Sequence, residues 1–278
     1  MDYKKILTVQ DISCVGQCSL TVALPIISAC GIETCILPSA VLSTHTAPGF
    51  SGFTFRDLTE DIPGIMAHWK KQDITFDAIY TGYLGSQRQI DLVKQLFATL
   101  TKPNALKIVD PAMADNGKLY PGFNMEFAQA MKTLCAEADI ILPNLTEACF
   151  MTGLPYKETY TEEYIKEVIA KMREFGAKTI ILTGIGYTPD STGVVVAEND
   201  SIKHYKHKKI AGGCHGTGDV YASAFVGSLI RGKDAFEAAT IAADYTVRCI
   251  ENTQGDASHW YGVKFEPVLP ELIARLSH

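Results

Sequence analysis

Gly216, Thr217 and Gly218 stand directly before an apolar run led by Asp219, within AGGCHGTGDVYASAFVGSLI at residues 211–230. Glycines there permit positive φ, so backbone N–H groups can converge on an anion at a helix start, where the dipole adds positive potential. The Thr217 hydroxyl is a further donor. A carboxylate beside such a cradle has two readings. It caps the helix, or it is a general base that takes the proton of an alcohol attacking a terminal phosphoryl group. Two better-known phosphate loops are excluded. Gly213 and Gly218 have the Walker A spacing, but Asp219 occupies the lysine position. A dinucleotide fingerprint fails because Tyr221 stands at its third glycine and the segment lies late in the chain.

Other polar residues could serve the same chemistry. Asp110 in IVDPAM closes a strand-like run, and Asp115 follows shortly after. Hard oxygen donors of this kind suit Mg²⁺, which keeps several waters and bridges phosphates. Asp110 also reads as a plain strand-end residue before proline. Asn144 and Glu147 in PNLTE have the spacing of an N-cap and a third helical residue, which is compatible with a second role at a phosphate site.

Taken together, these segments resemble a known family. GTGD before a helix is the hallmark of the ribokinase superfamily. VQDISCVGQCSL, STHTAPGF, TGYLGS, VDPAMADNGKLY and LPNLTEACFMTG are similar, in order from about residue 4 to residue 276, to its vitamin B6 kinases. The resemblance implies phosphorylation of the 5′-hydroxymethyl group of pyridoxal, pyridoxamine or pyridoxine, with ATP and Mg²⁺, and with a monovalent cation as a further candidate cofactor. It implies that Gly216, Thr217 and Gly218 form the anion hole and that Asp219 is the base. Thr183, Asn144 and Asp110 would reach the nucleotide, and Asp110, Asp115 and Glu147 would surround the metal.

Asp11, His45, Thr46 and Tyr83 match the family's vitamin-binding positions, with Tyr83 beside the pyridine ring and Thr46 on its nitrogen. Tyr83 also reads as a core aromatic and His45 as a satisfied loop residue. Many members carry Ser where Asp11 stands. An ionised carboxylate only accepts, so Asp11 is expected to favour a cationic amine, as in pyridoxamine. Leu142 replaces a threonine common in relatives, and Cys214 reads as a small packing residue. The resemblance also implies a homodimer. Alternatives are a hydroxymethylpyrimidine or sugar kinase of the same superfamily, or a catalytically silent B6-binding protein. The first often has Cys at the Asp219 position, the stretch 35–61 is short for a sugar-kinase lid, and a silent binder needs neither base nor metal set.

These residues need elements to position them. Strand-type runs at 6–9, 34–37, 78–81, 105–109, 139–142, 179–183 and 193–196 alternate with helix-type runs at 19–30, 61–71, 87–99, 125–136, 144–152 and 162–175. This alternation predicts a parallel sheet with crossover helices. Near-continuous apolar runs such as TIILT predict strands covered on both faces. Ligands bind such sheets at their C-terminal strand ends, which places Asp11, Thr81, Asp110, Asn144 and Thr183 on one rim. A strand over 202–207, a glycine-rich turn and helices over 219–230 and 234–251 follow. Pro25 predicts a kink or a late start in the first helix. The expectation is an α/β chain, one domain over 1–278, built as a ribokinase-like three-layer sandwich with a mostly parallel central sheet flanked by helices.

Composition agrees. The chain is 47% hydrophobic and 20% charged, with a formal charge of -6. That balance argues against nucleic acid as a partner, since such binding runs on clustered Lys and Arg. The eight cysteines include no CxxC pair. The N-terminal residues lack a signal-peptide pattern and no apolar run reaches a membrane span, so reduced thiols, no membrane and a cytoplasmic location are expected.

Overall fold

The computed structural model describes residues 3–210 and 214–277. Gly213, with its Walker-type spacing, lies outside the described residues. In chain order the strands are β1 (Lys5–Val15), β2 (Glu33–Thr44), β3 (Phe55–Asp57), β4 (Phe76–Thr81), β5 (Thr101–Val109), β6 (Ala114–Asp115), β7 (Lys118–Leu119), β8 (Ile140–Ile141), β9 (Thr179–Thr183), β10 (Ser191–Glu198) and β11 (Ser201–Lys208). The helices are α1 (Leu20–Ala29), α2 (Ile62–Lys71), α3 (Gln87–Thr99), α4 (Met125–Cys135), α5 (Leu145–Thr152), α6 (Glu162–Glu174), α7 (Thr217–Ile230), α8 (Ala235–Thr253) and α9 (Leu269–Leu276).

The main sheet runs β11-β10-β9-β8-β5-β4-β1-β2-β3. Every neighbouring pair from β9 to β2 is parallel. Only the margins are antiparallel, where β10 pairs with β9 and β11, and β3 pairs with β2. Successive strand residues point to opposite faces, and this sorts the core into two layers. Leu7, Val9, Ile79, Val109 and Ile141 pack with α2 to α6. Ile6, Ala78, Tyr80, Ile108 and Ile140 pack with α1, α7, α8 and α9. Each fully buried aliphatic side chain stabilises the fold by about 1.5–3 kcal/mol. The expected mostly parallel, three-layer arrangement is therefore observed.

Two details bring the functional rim together. First, β1 pairs with β4 only as far as Val9, opposite Thr81. Beyond that point β1 stays with β2 alone, across a register shift between Gln10 and Ile12, until Val15 meets Thr44. The sequence runs at 6–9 and 34–37 were thus too short. Cys14 and Val15 are exposed, so this extension lacks the two-sided burial that writes a continuous apolar run. β3, the β6–β7 hairpin and α9 also went unread. Second, α1 packs directly on α7, and their N-termini lie side by side. α1 begins at Leu20 and continues through Pro25 to Ala29.

At Gly227 of α7 an added Cβ would fall 2.4 Å from the Sγ of Cys30, the C-cap of α1, and 3.9 Å from Ile27 Cα. Gly227→Val should therefore force α1 from α7, at a cost of about 1–3 kcal/mol for overpacking. A urea unfolding midpoint unchanged from wild type would contradict this close contact.

Candidate active site

A cavity of about 470 Å³ opens where the parallel strands end and α7 begins. Asp110 follows β5, Leu142 and Asn144 follow β8, and Thr183 closes β9; all four reach its wall. From the opposite side come Gly216, Thr217, Gly218 and Asp219. Gly216 is the N-cap of α7 with φ 79°. A Cβ there would sit 1.6 Å from the Gln17 carbonyl oxygen, so glycine is required both by conformation and by space. The turn and the loop after β1 are pressed together at this point.

Asn144 and Glu147 form the capping box that opens α5. The Glu147 N–H donates to Asn144 Oδ1 at 2.9 Å, and the Asn144 N–H donates to Glu147 Oε2 at 2.8 Å. The Met113 N–H donates to the other Glu147 oxygen at 3.1 Å, and Asn144 Nδ2 donates to the Ala114 carbonyl at 2.8 Å. Structural capping and a place on the cavity wall therefore coexist. Asp115, on β6, is exposed at the cavity edge, and both its oxygens accept from Asn116, at 2.8 and 2.9 Å.

The electrostatics are one-sided. Desolvation, then Asp219, pushes the Asp110 carboxyl well above its usual range. Desolvation, then Asp110, does the same to Glu147, against the pull of the three backbone N–H groups that it accepts from. Desolvation raises Asp219 to about 7, with the Asp11 charge adding and the Ser19 N–H opposing. No Lys or Arg is among the described residues that line the cavity. Such a donor set calls for a cation. Among the described residues no three His, Cys, Asp or Glu side chains form a ready metal cage. The fit is therefore to a hard ion such as Mg²⁺, which takes most of its ligands from water and phosphate.

The residues expected at the second substrate gather elsewhere. Asp11, His45, Thr46 and Tyr83 do not line this cavity. Asp11 is buried, accepting from Ser19 Oγ at 2.6 Å and from Ser13 Oγ at 3.0 Å. Its charge is felt at Tyr83 and Asp219, and its own carboxyl feels His45. Asp11, His45 and Tyr83 are thus electrostatic neighbours, and Asp11 adjoins Asp219 on the cavity wall. His45 Nδ1 accepts from the Ala47 N–H at 3.2 Å, which leaves Nε2 to donate to the Tyr261 carbonyl at 2.8 Å. Both ring nitrogens are engaged, and the buried ring lies beside Phe50 and His215. Thr46 is exposed. Tyr83 is half-buried, its ring 5.5 Å from Phe123.

Some wall residues were missed by sequence reasoning. His215 precedes the glycine turn, its ring 5.3 Å from His45. Tyr120 closes the quoted GKLY segment. Ala243, Val247 and Ile250 present one face of α8 to the cavity; their i, i+4, i+7 spacing was the available signal. Cys214 is half-buried against the α7 layer.

Comparison with known proteins agrees with this geometry. The family described as phosphomethylpyrimidine kinase matches residues 63–263. The structure superposes on a phosphomethylpyrimidine kinase structure from Bacteroides thetaiotaomicron with a TM-score of 0.92 and 38% identity, covering 98% of this chain and 94% of that one. A second crystal form of that protein, with pyridoxal, gives a TM-score of 0.90. The pyridoxal kinase from Lactobacillus plantarum is 28% identical, with a TM-score of 0.91 and coverage of 100% and 99%. The curated pyridoxal kinase of Dictyostelium discoideum is 26% identical over 82% of this chain and 78% of its own.

Gly216→Ala should destabilise the protein by about 1–3 kcal/mol through backbone strain and the Gln17 contact. Gly218→Ala has open space at its Cβ and should stay within about 0.5 kcal/mol of wild type. Equal unfolding midpoints for the two would contradict the geometry of the turn. Asp219 gives a pH signature as well. With its folded pKa raised from 3.8 to about 7, the folded state holds a proton that the unfolded chain releases. The stability present below pH 4 is then lost as pH rises towards 7. Asp219→Asn should therefore be more stable than wild type at pH 8, on the order of 1–3 kcal/mol, and the gap should close at pH 4. A pH-independent gap would show that the carboxyl is not desolvated.

Proposed function

The chain belongs to the phosphomethylpyrimidine kinase family and is a kinase, and from that premise we propose that it transfers the γ-phosphoryl group of ATP to the 5′-hydroxymethyl group of a B6 vitamer. The observation that carries this reading is Asp219, desolvated and set in the first turn of α7 directly behind the Gly216–Gly218 turn. Phosphoryl transfer asks mainly for positioning and charge neutralisation. The N–H groups of the turn hold the phosphates, with Asn144, Thr183 and Asp110 along the nucleotide. Asp110, Asp115 and Glu147 would hold Mg²⁺, which neutralises phosphate charge when bound.

Asp219 accepts the proton of the vitamin hydroxyl as that oxygen attacks in line. His45, Thr46 and Tyr83 flank the pyridine ring. The pyridoxal-containing crystal form of the Bacteroides relative supports a B6 substrate, as do the curated pyridoxal kinases. The family reading extends to a homodimer acting in the cytoplasm; no helix among the described residues is long and apolar enough to cross a membrane. A second reading, a hydroxymethylpyrimidine acceptor, is favoured by the family's own description.

The test is an ATP/Mg²⁺ assay against pyridoxal, pyridoxamine, pyridoxine and hydroxymethylpyrimidine, with product masses determined. A phosphorylated vitamer is expected, and phosphorylation of the pyrimidine alone would move the substrate to the second reading. Asp219→Asn should lower kcat by about 10²–10⁴-fold with nucleotide affinity little changed. Near-normal turnover in that variant would remove Asp219 from the role of base.

A further inference from the structure

Three segments remote in the chain interlock at one edge of the cavity. An added Cβ at Gly16, after β1, would fall 2.4 Å from His45 Cδ2. At Gly49, after β2, it would fall 2.2 Å from Trp260 Cζ3, and at Gly262, after α8, 2.4 Å from Gln17 Cβ. Each glycine gives its place to a side chain from one of the other two segments, so the three pack as one unit.

The bonds follow the same pattern. His45 Nε2 donates to the Tyr261 carbonyl at 2.8 Å, across 216 residues of sequence. The Ala47 N–H donates to His45 Nδ1 at 3.2 Å, which closes a turn around Thr46, so the imidazole decides how Thr46 is presented. Phe50 stands edge-on to His45 at 4.9 Å and lies 4.7 Å from Trp260. On its inner side the His45 ring is 5.3 Å from that of His215, on the cavity wall beside the glycine turn. The later segment is anchored at its own ends. Lys264 pairs with Asp256, and Gln17 Nε2 donates to Glu266 Oε1 at 2.8 Å.

We infer that residues 259–262 are a positioning element for the acceptor substrate: Trp260 and the Tyr261 carbonyl hold the 45–50 loop, and with it Thr46, at the edge of the cavity. The inference rests on the proposed place of the vitamin beside His45 and Thr46. A hydroxyl approaching Asp219 passes beside the glycine turn, and the loop that meets the turn at His215 is the one that carries Thr46. Trp260 works from outside. It is 45% exposed, so truncating it opens no cavity in the core; what is lost is its contact with Gly49 and Phe50.

The experiment pairs hydrogen exchange with kinetics on the intact protein. Trp260→Ala should speed amide exchange across residues 45–50, at Ala47 above all, and leave the first turn of α5 as protected as in wild type. With the acceptor that the wild-type enzyme phosphorylates, the acceptor KM should rise about tenfold, the scale of one lost aromatic pair. Both kcat and the KM for ATP should stay within about twofold. Trp260→Phe keeps a ring against Phe50 and should recover most of the loss. Phe50→Leu should match Trp260→Ala, and the double variant should be no worse than either, because the two rings act in series. Unchanged exchange at 45–50 in Trp260→Ala would show that the segment holds nothing there. Faster exchange with an unchanged acceptor KM would show that the loop does not place the substrate, and an equal rise in both KM values would mark general loosening. Any of these overturns the inference. Should the wild-type acceptor prove to be a pyrimidine and not a B6 vitamer, the reading of the substrate fails, while the same comparison on that acceptor still decides the positioning.

Discussion

A shortage of positive charge sets the terms for the rim of the sheet. Asp110, Glu147 and Asp219 meet at one cavity, and no Lys or Arg is among the described residues that line it. Each acid is desolvated, and neighbouring acids raise each one further. An anionic ligand can enter such a place only if backbone N–H groups and a metal ion supply what the side chains do not. The fold answers with the ends of helices. α5 and α7 both begin at the cavity, the first through the capping box that holds Asn144 and Glu147 on its wall and the second through the glycine turn.

Strand geometry makes this possible. β1 leaves β4 at Val9, whereas β4, β5 and β8 stop in register at Thr81, Val109 and Ile141. The split leaves room above the sheet for the loop after β1 to come down against α7. Two-sided burial then fixes the strand ends: Ile6 and Leu7 commit to opposite cores, and a one-residue slip would exchange them. The site inherits its precision from that packing.

Much of this was legible in the sequence because the relevant signals are local. Asn144 and Glu147 are three residues apart and read as a cap, which they are. Gly216 before an apolar run reads as a helix start with special backbone, and its φ bears that out. Strands buried on both faces announce themselves as apolar runs, as Ile180 and Ile181 do. What escaped depends on contacts remote in the chain or on one-sided burial. Beyond Val9, β1 buries the polar Gln10, Asp11 and Ser13 and exposes Cys14 and Val15, so its pattern is mixed. Ser19 opens the helix-type run at 19–30, and nothing local reveals that its hydroxyl is taken by Asp11. His45 offered a ring for a ligand, yet both its nitrogens serve the backbone at Ala47 and Tyr261.

The contact of the Gln17 carbonyl with Gly216 has a consequence for the life history of the chain. One partner is made early in synthesis and the other late, and neither the glycine turn nor the carboxylate behind it has its backing until both are present. Strand pairing among β1, β2 and β4 can proceed on the emerging polypeptide, but the glycine turn at the cavity is a product of closure between distant segments. A nascent chain that has already built much of its sheet therefore still lacks this closed turn, which needs α7 docked onto α1.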